Sequence, residues 1–266
     1  MEQNELIIAQ SNALTNSRYN FSKLEKNAIY LIIRKVRRDY VKGSMQRDLW
    51  NNMCVYIDSS DLAQIADENH TEYARTALRT LCHKDIEIKD NKGNWLNVGF
   101  INYAKYSAKT KQYEVEVSKE IMPHLVELAS CFTVYSLTVA ISLKSKYSQR
   151  FYELAHQYLG RNTKTFFLDF NDLKTMMKLG VGYKLKSDIQ RCIINVALSE
   201  LKKAFDDDQC DLWLESYDKG RGKSTRWFFK IHTKNDDVQQ AYAKKVINSD
   251  INKFYNNQNN QENGTK

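Results

Sequence analysis

Apolar residues recur at helical spacing along several stretches of the chain, and between those stretches they alternate with polar ones. Leu24, Ala28, Leu31, Ile32 and Val36 predict a first long helix. Just before it, Ser22 and Glu25 in Phe21-Ser22-Lys23-Leu24-Glu25 have the spacing of a capping box, in which each side chain satisfies the other's orphan amide. Ala74, Ala77, Leu78 and Leu81 share one face of a further helix, with Arg75, Thr76 and Arg79 opposite. Tyr147, Phe151, Leu154, Ala155 and Tyr158 predict a helix over 145–159. Ile189, Ile193, Ala197 and Leu201 predict another over 187–205, whose other side carries Arg191, Asn195, Ser199 and Lys202. Alternating runs at 54–57, 86–89, 95–101, 112–117, 165–168, 212–217 and 226–231 read as strands, and short helices are expected at 60–66 and 171–179. Asn91-Lys92-Gly93-Asn94 and the stretch 218–225 are hairpin turn signals.

The pattern occurs twice. Tyr56-Ile57-Asp58-Ser59-Ser60-Asp61-Leu62 matches Phe167-Leu168-Asp169-Phe170-Asn171-Asp172-Leu173 at an offset of 111, each a strand followed by an aspartate suited to cap a helix. Ala77-Leu78-Arg79-Thr80-Leu81 matches Ala197-Leu198-Ser199-Glu200-Leu201 at 120, and Lys92-Gly93 matches Lys219-Gly220 at 127. The matches keep their order while the offsets grow, as insertions between the elements of a duplicated unit would produce. Helix, strand, helix, helix and hairpin is the order of a winged helix–turn–helix, so the fold class expected is α+β, with two tandem winged helix–turn–helix domains related by internal duplication. Residues 1–130 are expected to form the N-terminal DNA-binding domain, with a linker helix carrying Ile121, Leu125 and Leu128. Residues 131–234 form the main DNA-binding domain, and the Asn/Gln-rich 235–266 is expected to be disordered. The connecting segment 118–142 is expected to set the relative orientation of the domains.

Charge gives this arrangement a partner. The chain of 266 residues has Lys+Arg 40 against Asp+Glu 32, a net +8. Residues 1–143 hold 18 basic and 17 acidic side chains, residues 144–234 hold 18 and 11, and the tail 4 and 4, so the excess lies in the second unit. Concentrated lysine and arginine is the footprint of a polyanion partner. Arg75 and Arg79 in one unit, and Gln190, Arg191 and Asn195 in the other, have the donors and acceptors that read base edges. Lys89 and Lys92 at the first hairpin, and Lys219, Arg221, Lys223 and Arg226 at the second, are expected to bind phosphate, which positions without specifying.

Several runs resemble the initiator Rep proteins of iteron-bearing, theta-replicating plasmids. These are Ser11-Asn12-Ala13-Leu14, Phe21-Ser22-Lys23-Leu24-Glu25-Lys26, residues 193–201 and, most specifically, Leu143-Lys144-Ser145-Lys146-Tyr147-Ser148-Gln149-Arg150-Phe151-Tyr152-Glu153-Leu154. The resemblance spans roughly residues 7–234. It implies binding of double-stranded DNA at directly repeated origin sequences, replication initiation by monomers, repression of the initiator's own gene by a homodimer formed through residues 1–130, a monomer–dimer switch acting in the segment 118–142, and recruitment of the host replication initiator and replicative helicase. By position it also implies that Lys184, Lys186, Ser187, Gln190, Arg191 and Asn195 form the second recognition surface, and Thr71, Tyr73, Arg75, Thr76 and Arg79 the first. Ser145, Lys146, Tyr147 and Arg150 would approach the DNA backbone, with Ser145 as an N-cap whose neighbouring amides face a phosphate. Where many relatives carry a proline in the second recognition helix, this chain has Asn195-Val196-Ala197. Two domains reading successive major grooves imply repeats of about 20 bp.

Other readings fit less well. Gly220-Arg221-Gly222-Lys223-Ser224-Thr225 evokes a nucleotide-binding loop, but the required first glycine is Tyr217 and a strand follows where a helix is needed. A nicking rolling-circle initiator needs a His-x-His pair, which His70, His83, His124, His156 and His232 do not supply, and Asp206-Asp207-Asp208 reads as a solvated loop. Neither enzymatic activity, a cofactor nor a metal is expected. A winged-helix transcription regulator without initiator activity remains the principal alternative. The 5 cysteines contain no C-x-x-C pair, and no run nears ~18 apolar residues. With no basic leader at the N-terminus, a cytoplasmic, non-membrane protein is expected.

Overall fold

The computed structural model describes residues 7–47, 52–64, 71–90, 92–126, 128 and 131–234. The turn expected at 67–70, the side chain of Thr71 and the 235–266 tail lie outside the described residues. The chain opens with strand β1 (Ile7–Ser11), the short helix α1 (Asn12–Thr15) and the long helix α2 (Lys23–Val41). The capping box forms as expected, with Glu25 N–H donating to Ser22 Oγ at 3.3 Å and Ser22 N–H to Glu25 Oε2 at 2.7 Å. Ala28, Ile32, Ile33 and Val36 of α2 are fully buried. Then come β2 (Gln46–Arg47), β3 (Met53–Asp58), α3 (Ser59–Gln64), α4 (Thr71–Leu81) and two consecutive hairpins, β4 (Asp85–Lys89) with β5 (Trp95–Gly99) and β6 (Ile101–Ser107) with β7 (Gln112–Val117). After α5 (Pro123–Val126), strand β8 (Phe132–Ser136) returns to pair antiparallel with β1, Ile7 opposite Ser136. Helix α6 (Leu137–Ser142) then leads into the second unit.

That unit is α7 (Lys146–Gly160), β9 (Thr165–Asp169), α8 (Phe170–Met176), a helical rod made of α9 (Lys186–Ile189), a π-helical turn (Gln190–Ile194) and α10 (Asn195–Asp206), and the hairpin β10 (Leu212–Lys219) with β11 (Arg226–Thr233). Ile189, Ile193, Ala197 and Leu201 are all fully buried. Strict four-residue steps would walk a stripe around an α-helix of 3.6 residues per turn. The wider π turn takes up part of that excess, so the stripe keeps facing the core through the rod. It ends at Ile194, immediately before Asn195-Val196-Ala197.

The sheets reveal which hairpins are equivalent. In the second unit the order is β10-β11-β9, with β11 central; in the first it is β2-β3-β7-β6, with β7 central between β3 and β6. The strand 112–117 therefore completes a sheet with β3 and β6, and not with the hairpin of 86–101 as its spacing suggested. The run expected to be one strand over 95–101 breaks at Phe100, which is fully buried at the corner, and β6 follows as a separate strand. Hairpin β4–β5 is a two-stranded sheet of its own, held to Arg18 by reciprocal backbone bonds with Glu87.

The two units share a continuous apolar core and a buried polar join. Glu153, on α7, is fully buried and accepts from Lys26 Nζ at 2.5 Å, Tyr30 Oη at 2.7 Å and Tyr19 Oη at 3.1 Å. Arg150, one turn earlier, is only 2% exposed; its guanidinium donates to Ser17 O and Tyr19 Oη, each at 2.5 Å, and stacks over the Tyr19 ring. Burial pushes the Glu153 carboxyl up, but Lys26 and Arg150 outweigh it and hold the group below its ordinary range. The Tyr19, Tyr30 and Tyr135 phenols around it are raised by the same burial.

Here the sequence expectation for α7 needs correcting. Arg150 cannot reach a DNA backbone, because its charge is spent inside the protein on Glu153, Tyr19 and Ser17. Nor are the amides at the start of α7 open to a phosphate. Ser145 does cap the helix through Tyr147 N–H, but the Glu200 carboxylate from α10 accepts from Lys144 N–H, from Ser145 N–H at 3.0 Å and from Ser148 Oγ at 2.6 Å. The most family-specific run of the sequence is thus built into the join between units.

Candidate nucleic-acid interface

Each unit places a helix in front of a sheet, and the sheet anchors the helix through the strand next to its hairpin partner. In the second unit, the indole N–H of Trp227, fully buried on β11, donates to Gln190 Oε1 at 2.7 Å, and Gln190 Nε2 donates to Asn195 Oδ1 at 2.7 Å. In the first, the buried Tyr113 on β7 accepts from Arg75 Nε at 2.7 Å, and the Arg75 guanidinium lies 5.1 Å from the Tyr106 ring centre. Gln190 and Arg75 are therefore oriented from behind by the sheet, and both are half-buried.

Around Gln190, the outer side of the rod carries exposed Lys184, Ser187, Arg191 and Asn195. The Arg191 side chain is 78% exposed, with only a distant Asp188 carboxylate at 3.8 Å. Lys186 is paired with Asp218 of β10, which ties the start of the rod to the wing. Around Arg75, the outer side of α4 carries exposed Tyr73, Thr76 and Arg79, with Glu72 beside the two arginines. Two apolar side chains missed by the sequence reading, Val181 and Leu185, stand 85% and 62% exposed in the loop that enters the rod. Their signal was bulky apolar residues in a Gly/Lys loop with no periodicity to bury them.

The second wing tip projects Lys219, Arg221 and Lys223 into solvent. Its turn requires glycine at 220, where φ is +91° and a Cβ would meet the Ser224 carbonyl oxygen at 2.3 Å. Arg226 is less free: it forms a bidentate pair with Asp169 at 2.6 and 3.3 Å and lies over the Phe167 ring. Asp169 is consequently a wing anchor and makes no side-chain cap bond to α8. Asp58 does the equivalent work in the first unit, accepting from Gln112 Nε2 at 3.0 Å. Lys89 is paired with Glu87 at 3.1 Å and Lys92 is exposed, both on the separate β4–β5 hairpin. Lys146 is half-buried and donates to Asn20 Oδ1 at 2.8 Å; burial and the neighbouring Lys84 lower its pKa. It is thus only partly available outside. Among the described residues, no group of three His, Cys, Asp or Glu side chains is placed to hold a metal ion, and no helix is long and apolar enough to cross a membrane.

A duplicated helix-and-wing scaffold with basic tips defines a tandem winged-helix protein. Residues 7–156 match the family model described as initiator replication protein, WH1, and the chain belongs to that family. Among solved structures, it is similar to the Pi initiator protein crystallised in complex with iteron DNA, with 19% sequence identity and a TM-score of 0.56, over 88% of this chain and 99% of that one.

Proposed function

We propose that this protein is a plasmid replication initiator that binds directly repeated double-stranded origin DNA through both winged-helix units. The observation that carries the reading is the doubled arrangement of a sheet-anchored polar side chain, Gln190 or Arg75, on the outer face of a helix beside a hairpin wing. Membership of the initiator family and the fold shared with an iteron-bound initiator support it. In this reading Gln190, Arg191, Asn195, Thr71, Tyr73, Arg75, Thr76 and Arg79 face bases. Lys184, Lys186, Ser187, Lys219, Arg221, Lys223 and Arg226 hold phosphates, the exposed ones most strongly. Lys146 contributes from the start of α7. Residues 131–234 supply most of the affinity. The first unit divides its surface between DNA, a second copy in the repressor form, and the host initiator and helicase.

Binding to a fragment bearing the origin repeats, titrated against salt, tests this. If about 8 phosphates are neutralised, log affinity falls with log salt at a slope near −7. A slope near −2 would rule out engagement by both units. Support of replication by a plasmid carrying those repeats separates an initiator from a transcription regulator that uses the same contacts.

A further inference from the structure

The structural repeat identifies a second phosphate-binding wing in a place the sequence repeat did not. Asp169 faces Arg226 across β9 and β11, and Asp58 faces Gln112 across β3 and β7. Both aspartates bind the side chain opposite, at 2.6 and 3.0 Å. One residue further along each central strand, Trp227 and Tyr113 bond the polar side chain of the recognition helix, Gln190 and Arg75. One residue before, the carbonyls of Thr225 and Lys111 accept from the first amide of the following helix, Phe170 N–H and Ser59 N–H, both at 3.0 Å. Three consecutive positions thus make matching contacts in the two units. They fix the equivalence of β10–β11 with β6–β7, and of the basic tip at 219–226 with the tip at 107–112.

From this we infer that the hairpin tip Ser107-Ala108-Lys109-Thr110-Lys111-Gln112 is the DNA-contacting wing of the first unit, with Lys109 and Lys111 as its phosphate ligands. Both lysines are exposed, and among the described residues no acidic side chain forms an ion pair with either. The tip is stiff at its base: Gln112 is clamped by Asp58, and Lys111 holds a left-handed conformation with φ +55° while its carbonyl accepts from Ser59 Oγ at 2.7 Å. The β4–β5 hairpin has a different setting. Asp85 pairs with Lys178 of the second unit at 2.7 Å, Glu87 pairs with Arg18 at 3.0 Å, and Lys89 is neutralised by Glu87. That hairpin braces the two units.

The inference rests on the proposed DNA-binding reading, and one experiment separates their failures. Full-length wild type, Lys109→Ala/Lys111→Asn and Lys89→Ala/Lys92→Ala are titrated on the origin-repeat fragment across salt. Asparagine keeps the left-handed backbone at 111, and unchanged melting temperatures confirm folding. Losing two phosphate contacts lowers the salt slope by about 2 and weakens binding on the order of tenfold at ~0.15 M salt. The expected result is that loss in the 109/111 variant and wild-type behaviour in the 89/92 variant. Wild-type binding by the 109/111 variant, or the loss appearing in the 89/92 variant, overturns the assignment. Failure of the wild type to bind the repeats at all removes the DNA-binding reading beneath it.

Discussion

Arg150 and Arg191 are both arginines on helices of the second unit, yet burial assigns them opposite tasks. Arg191 is exposed on the rod, while Arg150 sits with Lys26 around one carboxylate, Glu153, in the interior. Two cations sharing one buried anion are stable only while that anion is charged. Because Glu153 titrates lower in the folded chain than in the unfolded one, the unfolded chain takes up the proton first as the medium is acidified. Its contribution is whole above the ordinary carboxyl value of 4.5 and declines as pH falls through the lower folded value. Glu153→Gln is expected to lose about 3–5 kcal/mol at pH 7, as breaking a buried pair does. Urea denaturation across a pH series should show the gap from wild type shrinking as pH falls below 4.5 and through the lowered folded value, where the wild-type carboxyl takes up its proton too. An undiminished gap would place the stabilisation in packing. Periodicity could put Arg150 on α7, but only the fold brings Tyr19 and Lys26 around it, more than a hundred positions away in the chain.

Elements were legible where their own residues determine them. The Ser22–Glu25 box, the buried stripe Ile189-Ile193-Ala197-Leu201 and the polar face opposite it depend on local spacing, and all three are present. The pairing of hairpins was not, because Lys92-Gly93 and Lys219-Gly220 are both good turn sequences, and turn chemistry says nothing about which strand lies alongside. The anchored helix is likewise a product of tertiary contact: Trp227 and Gln190 are 37 positions apart. Trp227→Phe removes the N–H that holds Gln190 and should cost about 1 kcal/mol for the hydrogen bond, plus a packing term for the smaller ring. If Gln190 reads bases, affinity for the origin repeat will fall more than affinity for unrelated duplex, measured by competition at one salt concentration. Equal losses on both would leave Gln190 a purely structural residue.

At the scale of the molecule, the division at 130/131 cuts through bonds. Strand β1 pairs with β8, and Lys26 pairs with Glu153, so the first unit takes a strand and a counter-ion from beyond that point. The family match, which runs to residue 156, includes both. A fragment ending at 130 should therefore lack a cooperative urea transition by circular dichroism. One that unfolds as sharply as the intact chain would show the first unit to be self-sufficient. The excess of charge in residues 144–234 needed only counting, whereas the join is built from residues that are polar in the sequence and internal in the fold.

The β1–β8 ladder also bears on how the chain acquires its structure. Ile7–Ser11 is made before its partner Phe132–Ser136, which follows more than a hundred residues later. Until then β1 is an open edge carrying Ile7 and Ile8, the kind of strand that pairs with whatever strand it meets. During that interval nascent chains on one message are neighbours. Among the described strands this is the pairing most distant in sequence, and because distant pairings form late its edge stays open longest to association between growing chains.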